Sequence, residues 1–448
     1  MSFNWPEAFT AQMKALLGDE FDSFQAAIAE ASPVSIRHNS QKNKRPMVLE
    51  EPVNWHPYAE YLKERPVFTL DPAFHAGAYY VQEASSMFIH EAVKQCVDLE
   101  RPLRVLDLCA APGGKSTLLA DMLNNESILV VNEVIKSRVG VLRENMRKWS
   151  FPNVIVSNHD SEEFVELEGF FDLVLVDAPC SGEGLFRKDE EASGHWSPEA
   201  VQTCSARQKR ILQAAAMLVA PGGKLLYSTC TYNTKENTEN VEWFCRQQDF
   251  RAVSLEVGVF EGVQAAGKGY QFFPHKVKGE GFFLAVLEKT SHDADYVEGK
   301  IKLNRLPKKL LGELSKWIEE PTRFSFFLKP DNRVVAIPQS IEKEMGSVFR
   351  ALFKRSSGLE IGEFKKEQFI PSHDLALSTI VSKAVPQLPL DKDNALLYLK
   401  RESFALEVEI QGWHLVCYQE MGLGWVKGLG NRVNNYLPKE WRIRMDIN

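Results

Sequence analysis

Residues 104–117, RVLDLCAAPGGKST, pass from a short apolar run through a loop of small residues into a helix-like stretch. A strand, a tight turn and a helix in that order form the first unit of an α/β sheet. Outward from it, further apolar, β-rich runs stand at ILVVNEV (128–134), NVIVSNHD (153–160), FDLVLVDAP (171–179), KLLYSTC (224–230) and FFLAVL (282–287). Between them 115–123, 135–148 and 205–218 read as helices. The last leads into APGG (220–223), a breaker expected to stop the helix and turn the chain before the next strand. The alternation predicts an α/β, Rossmann-like domain: a doubly wound parallel sheet covered on both faces. Ligands of such sheets collect at the carboxyl ends of the strands. There the sequence sets Asp107, Cys109, Glu133, Asp160, Asp177, Cys180 and Cys230.

The loop Cys109, Ala110, Ala111, Pro112, Gly113, Gly114 and Lys115 lets backbone N–H groups approach a ligand closely, and the following helix N-terminus favours a carboxylate or phosphate. GGKST looks like the end of a nucleotide-phosphate loop, but G-x-x-x-x-G-K-[ST] requires glycine where Cys109 stands. The dinucleotide pattern G-x-G-x-x-G is also missing. Glu133, ending the second strand, is placed to accept from ribose hydroxyls, and Asp160, ending the third, from an exocyclic adenine amine. Together they suit an adenosine-bearing ligand not held by its phosphates, namely S-adenosyl-L-methionine.

At 448 residues the chain exceeds one hydrophobic core, and 44% apolar content supplies material for several. No run of about eighteen uncharged apolar residues occurs, and MSFNWPEAFTAQMK lacks a secretory pattern, so a cytoplasmic protein without a membrane partner is expected. The seven cysteines form no C-x-x-C and no zinc-spaced cluster, which predicts reduced thiols and no metal. Residues 300–448 carry 24 basic and 18 acidic residues, so the net −7 resolves into +6 there and −13 in the preceding 299 residues. Residues 31–49 hold Arg37, Lys42, Lys44 and Arg45 without an acid, and read either as a solvated loop or as a phosphate-contacting segment.

DAPCSGEG around Asp177 and Cys180 and KLLYSTCT around Cys230 both follow apolar strands. With DLCAAPGGKST, NEV and NHD before them, SIRHN (35–39) and GAYYVQEASSM (77–87) upstream and FFPHKVKGEGFF (272–283) downstream, they resemble the Sun-type (nucleolar protein/Sun/Fmu) family of RNA cytosine-5 methyltransferases. The resemblance implies an N-terminal RNA-contacting region (1–100), a methyltransferase domain dependent on S-adenosyl-L-methionine (101–290) and a β-rich, PUA-like RNA-binding domain (371–448); the residues between, after a polar linker at 290–300, read as an intermediate α/β or β-rich module (300–370). The PUA-like domain rests on a weaker likeness of GLGWVKGLGNRVNNYLPKEWRI (422–443) to bacterial small-subunit ribosomal RNA members of the family.

By the same resemblance Cys230 is the covalent nucleophile, Cys180 assists product release, and Asp177 hydrogen-bonds the cytosine and the cofactor region. Cytosine methyltransferases of DNA carry the nucleophile in a proline-cysteine motif, which alone would favour Cys180; the STCT match favours Cys230. Arg37 and Asn39 match an R-x-N element and are expected at the RNA, with Tyr79, Tyr80 and Gln82 stacking, hydrogen-bonding or packing nearby. Residues 182–188 (GEGLFRK) read as a flexible lip over the pocket, or as an ordinary surface loop. A base inside a duplex is closed to attack at carbon 6, so an unpaired or flipped cytosine is required. The expected partner is RNA, of the small ribosomal subunit, bound by a monomer, with no DNA. The rival readings are a transfer RNA methyltransferase, a non-catalytic ribosome assembly factor and a P-loop nucleotidase.

Overall fold

The computed structural model describes residues 5–42, 48–188, 190–291 and 296–446; Lys44 and Arg45 of the basic run lie outside them. Strands β1 (Val34–His38), β2 (Ala59–Leu62) and β3 (Tyr79–Val81) form an antiparallel sheet in the order β2-β1-β3. The central sheet follows. Strands β4 (Arg104–Asp107), β5 (Ile128–Asn132), β6 (Val154–Ser157), β7 (Phe171–Asp177) and β8 (Val219–Thr229) run parallel. Strands β9 (Phe250–Ala252), β10 (Gln264–Ala266), β11 (Gly269–Phe272) and β12 (Phe282–Lys289) complete one flank. The order is β10-β11-β12-β8-β7-β4-β5-β6, with β9 pairing β12.

Side chains alternate across this sheet as the twofold period of a strand demands. Val105, Leu129, Val131 and Leu173 enter one apolar cluster, while Leu106, Val130, Ile155 and Val174 enter the other. Burial on both faces explains why these strands read as unbroken apolar runs.

The run 282–287 belongs to the sheet but lies antiparallel to β8, so the sheet is mixed rather than wholly parallel. The helix expected at 205–218 is Pro198–Leu218, started by Ser197, whose Oγ accepts from Ala200 N, with Pro198 in the first turn. The breaker at 220–223 does not end an element before β8; it lies inside it. Phe171 pairs Val219 and Leu173 pairs Lys224, so the exposed Pro221-Gly222 bulges out of the ladder, with Gly222 at φ +69°.

Beyond the central sheet, β13 (Asn304–Arg305), β14 (Phe324–Leu328), β15 (Arg333–Pro338), β16 (Leu359–Lys365) and β17 (Gln368–Pro371) pair antiparallel in sequence order. A last sheet joins β18 (Gln387–Pro389), β19 (Ile410–Tyr418), β20 (Met421–Gly430) and β21 (Val433–Asn435). The edge of β6 is covered: Ser157 bridges Arg355, and Ser356 N donates to Val156 O at 2.8 Å. Among the described residues no helix is long and apolar enough to cross a membrane.

Candidate active site

Adjacent parallel strands bring the two cysteines together. Asp177, the last residue of β7, is in register with Ser228 of β8, and the loops leaving these strands carry Cys180 and Cys230. Their sulfurs lie 3.0 Å apart, in a hydrogen bond in which either can be the donor. The hydrogen bond with Cys230 and then burial push the Cys180 thiol well above its ordinary range. Beside the pair, Lys115 Nζ donates to Asp177 Oδ2 at 2.8 Å and Ser228 Oγ donates to Asp177 Oδ1 at 2.8 Å. Burial pulls the Lys115 ammonium down, but Asp177, with help from Cys230, outweighs it and raises the group. A cation is thereby held charged next to the sulfurs.

The loop from Cys109 to Lys115 crosses the carboxyl end of β4. Gly113 stands at φ +113°, in the left-handed region, and opens the helix Gly114–Met122 with no side-chain cap. Its first N–H groups therefore face a ligand site unclaimed by a protein side chain. Asp107 is fully buried and accepts from Ser116 Oγ at 2.6 Å. Burial, strengthened by the charge of Asp177, pushes its carboxyl up to about 7. The native state thus binds the Asp107 proton more tightly than the unfolded chain. The stability this confers is complete below about pH 4 and lost as pH rises through 7. For the cofactor-free protein, Asp107→Asn is expected to flatten the fall in thermal midpoint across that window, which corresponds to about 4 kcal/mol of stability. Parallel pH profiles for the two proteins would exclude it.

Glu133, 3% exposed, accepts from Ile135 N at 2.8 Å and pairs with Arg138 at 3.4 Å. Asp160 lies three residues beyond the end of β6 rather than on it, caps the turn Ser161–Leu167 through Glu162 N, and pairs with Arg210. Burial pushes the Cys109 thiol well up.

Arg37 and Asn39 do not face solvent; both are fully buried, so neither offers a surface to RNA. The Arg37 guanidinium donates to Thr117 Oγ1 at 2.6 Å, Gly114 O at 3.3 Å and Gln82 Oε1 at 3.0 Å, and lies over the Trp149 ring at 4.9 Å. It braces the start of the helix Gly114–Met122 from β1. Asn39 Nδ2 donates to Gly77 O, and the Lys42 ammonium to the carbonyls of Ala76 and Lys148. Tyr79 donates to Asp71, and the Tyr80 ring packs on Gly114. The local run reads as basic and solvated because its acceptors lie far along the chain.

Residues 182–188 are not a free lip. Gly184 N donates to Cys230 O at 2.9 Å, and an added Cβ at Gly184 would meet that carbonyl at 2.8 Å. Glu183 is fully buried. Its Oε2 accepts from Thr231 Oγ1, Tyr232 N and Asn233 N, and its Oε1 from Gln12 Nε2, Trp196 Nε1 and Asn233 Nδ2, all within 3.0 Å. Asn233 Nδ2 also reaches Glu236, which accepts from Ser181 N, next to Cys180, at 3.0 Å. One buried network thus holds the loops of both cysteines. Sequence reading missed Glu183, Glu236 and Asn233; the nearest signal was an acid between two glycines directly after the proline-cysteine motif.

Three family models match the chain: 16S rRNA methyltransferase RsmB/F over residues 95–288, the N-terminal domain of 16S rRNA methyltransferase RsmF over 5–84, and the methyltransferase RsmF PUA domain over 385–443. Ribosomal RNA small subunit methyltransferase F of Vibrio cholerae serotype O1 is 33% identical over 466 residues, covering 97% of each chain. Its namesake in Erwinia tasmaniensis is 31% identical over 470 residues, covering 97% of this chain and 96% of the relative. Among solved structures, a methyltransferase homolog protein from Pyrococcus horikoshii aligns with TM-score 0.54 and 27% identity over 64% of this chain and 96% of its own. NSun6 from the same organism, solved with SFG, shares the fold at TM-score 0.54 and 20% identity, over 65% of this chain and all of its own.

Proposed function

This chain belongs to the 16S rRNA methyltransferase RsmB/F family, and we propose that it transfers a methyl group from S-adenosyl-L-methionine to carbon 5 of a cytosine in small-subunit ribosomal RNA through a covalent Cys230 adduct. The observation that carries this reading is the 3.0 Å sulfur pair in the loops that leave β7 and β8, beside the Lys115–Asp177 ion pair.

The residues at the sheet edge fit the cofactor. The uncapped start of Gly114–Met122 suits an amino-acid carboxylate, Glu133 suits a ribose diol, and Asp160 and Asp177 stand further along the same edge. When bound, the cofactor supplies an electrophilic methyl group. The chain's own residues do the rest. Carbon 5 of cytosine is a poor nucleophile until a sulfur adds to carbon 6 and leaves an enamine. The Cys230 thiolate, stabilised by the Cys180 S–H and the Lys115 charge, forms that carbon–sulfur bond. Bond formation removes the hydrogen-bond acceptor that held the Cys180 proton, so Cys180 loses it to solvent. Once carbon 5 carries the methyl group, the Cys180 thiolate takes the carbon 5 proton, the double bond re-forms and the Cys230 thiolate is expelled.

Incubating the protein with 16S rRNA and labelled cofactor, then resolving the nucleosides by mass spectrometry, is expected to yield label in 5-methylcytidine. Label in N4-methylcytidine, in another base or in the ribose would sink the carbon 5 assignment. Label only in transfer RNA offered alongside would sink the ribosomal one.

A further inference from the structure

Away from the sulfur pair, a cleft of about 280 Å³ opens between the helix Lys136–Trp149 of the catalytic domain and strands β15 and β16 of the following sheet. Five cations line it: Arg143, Arg147, Lys329, Arg333 and Arg355. Three carboxylates answer them: Asp331, beside the cleft, pairs with Arg333, and two more line it. Asp374 pairs with Arg147 at 3.2 Å, and Glu360 is shared by Lys329 at 3.2 Å and Arg333 at 2.8 Å. The other two arginines have no acid among the described residues. Arg355 stacks on the Phe349 ring at 3.5 Å, donates only to the carbonyls of Ser356 and Phe349, and leaves its Nε buried without a partner. Arg143, one turn before Arg147 on the same helix face, has burial and the Arg147 charge both working against its own.

A concave site with two surplus positive charges, those of Arg143 and Arg355, focuses the field on an anion, and guanidinium forks match the tetrahedral oxygens of a phosphate. The cleft's position narrows the class of anion. Arg355 sits in the bridge to Ser157, at the end of β6, and Lys354 N donates to His159 Nε2, one residue before Asp160. A group held in the cleft is therefore fixed relative to the cofactor edge of the sheet. Lys329, Arg333 and Arg355 also belong to the part of the chain that carries the basic surplus.

We propose that this cleft binds a backbone phosphate of the substrate RNA, through Arg143 and Arg355, and so sets the RNA's register on the catalytic domain. The proposal rests on reading the chain as acting on RNA, but its readout is affinity, which is independent of which atom is methylated.

The test measures the Kd of the full chain for transcribed 16S rRNA against salt concentration, for wild type, for Arg143→Ala with Arg355→Ala, and for Arg246→Ala, an exposed arginine on a separate helix paired with Glu242. Losing one phosphate contact lowers the slope of log K against log salt by about 0.7–0.9. The double variant is expected to show that loss, with affinity about 5- to 30-fold weaker at low salt and S-adenosylmethionine affinity unchanged. The Arg246 variant is expected to match wild type. An unchanged slope in the double variant, or an equal loss in the Arg246 variant, overturns the proposal. A free anion is the remaining occupant: inorganic phosphate that raises the melting temperature of wild type only, with the RNA slope unmoved, also overturns it. Should the double variant fail to fold, Arg143→Gln alone, at an exposed position, is judged by the same slope criterion against Arg143→Lys, which is expected to retain it.

Discussion

Cys230→Ala is expected to abolish methyl transfer, by on the order of 10⁴-fold or more, and to abolish covalent trapping on RNA containing 5-fluorocytosine. The fluorinated base has no carbon 5 proton to lose, so an enzyme that adds a sulfur to carbon 6 stays attached and is seen as a shifted band on a denaturing gel. Cys180→Ala should fail differently. The nucleophile remains, but the group that would take the carbon 5 proton is gone, so the adduct accumulates on ordinary cytosine while turnover stops. Both sulfurs are within 3.0 Å of each other, and proximity alone would let either serve. The asymmetry proposed for them follows their surroundings: the hydrogen bond to Cys230 and burial raise the Cys180 thiol, and the Lys115 ammonium, held by Asp177, stands beside the pair. Trapping that survives Cys230→Ala and is lost in Cys180→Ala would reverse the roles.

How far the site could be read from sequence depends on how local each residue's reason is. Cys180 and Cys230 were legible as neighbours because each directly follows an apolar strand, and parallel strands deliver such residues to one edge. The strand, loop and helix across residues 104–122 were legible for the same reason: the glycines, the helix start and the strand are contiguous. Arg37 was not. Its hydrogen-bond partners Gln82, Gly114 and Thr117 lie 45 to 80 positions away, and nothing in SIRHN distinguishes a buried guanidinium from a solvated one. The bulge at Pro221-Gly222 misled in a related way. Proline and glycine there signal a departure from regular pairing, but whether the chain turns away or bulges and continues is decided by β7 alongside it. Glu183 is the extreme case, since an acid flanked by glycines is the usual composition of an exposed loop.

Glu183 consequently gives the second large effect. Its carboxylate accepts from six donors, among them two backbone N–H groups and a hydroxyl in the three residues that follow Cys230, and two groups, on Gln12 and Trp196, far from that loop in sequence. A carboxylate is the side chain for such a place because it accepts at every oxygen site and donates at none. Glu183→Gln turns one oxygen into an NH₂ that must face donors on either side. Leaving buried donors unmet costs about 1–3 kcal/mol for each group, so a loss of about 2 kcal/mol in stability is expected for Gln and more for Ala. The loop beyond Cys230 relaxes with it. For Glu183→Gln, kcat is expected to fall on the order of 10²-fold, because a displacement near 1 Å in the attacking group is costly. The S-adenosylmethionine Kd and the RNA KM should stay near wild type, since Glu183 touches neither the cofactor loop nor the outer surface. That split separates a positioning residue from a merely structural one. A variant that loses stability while its kcat per folded molecule is unchanged would show that the network holds the fold together without aiming the sulfur.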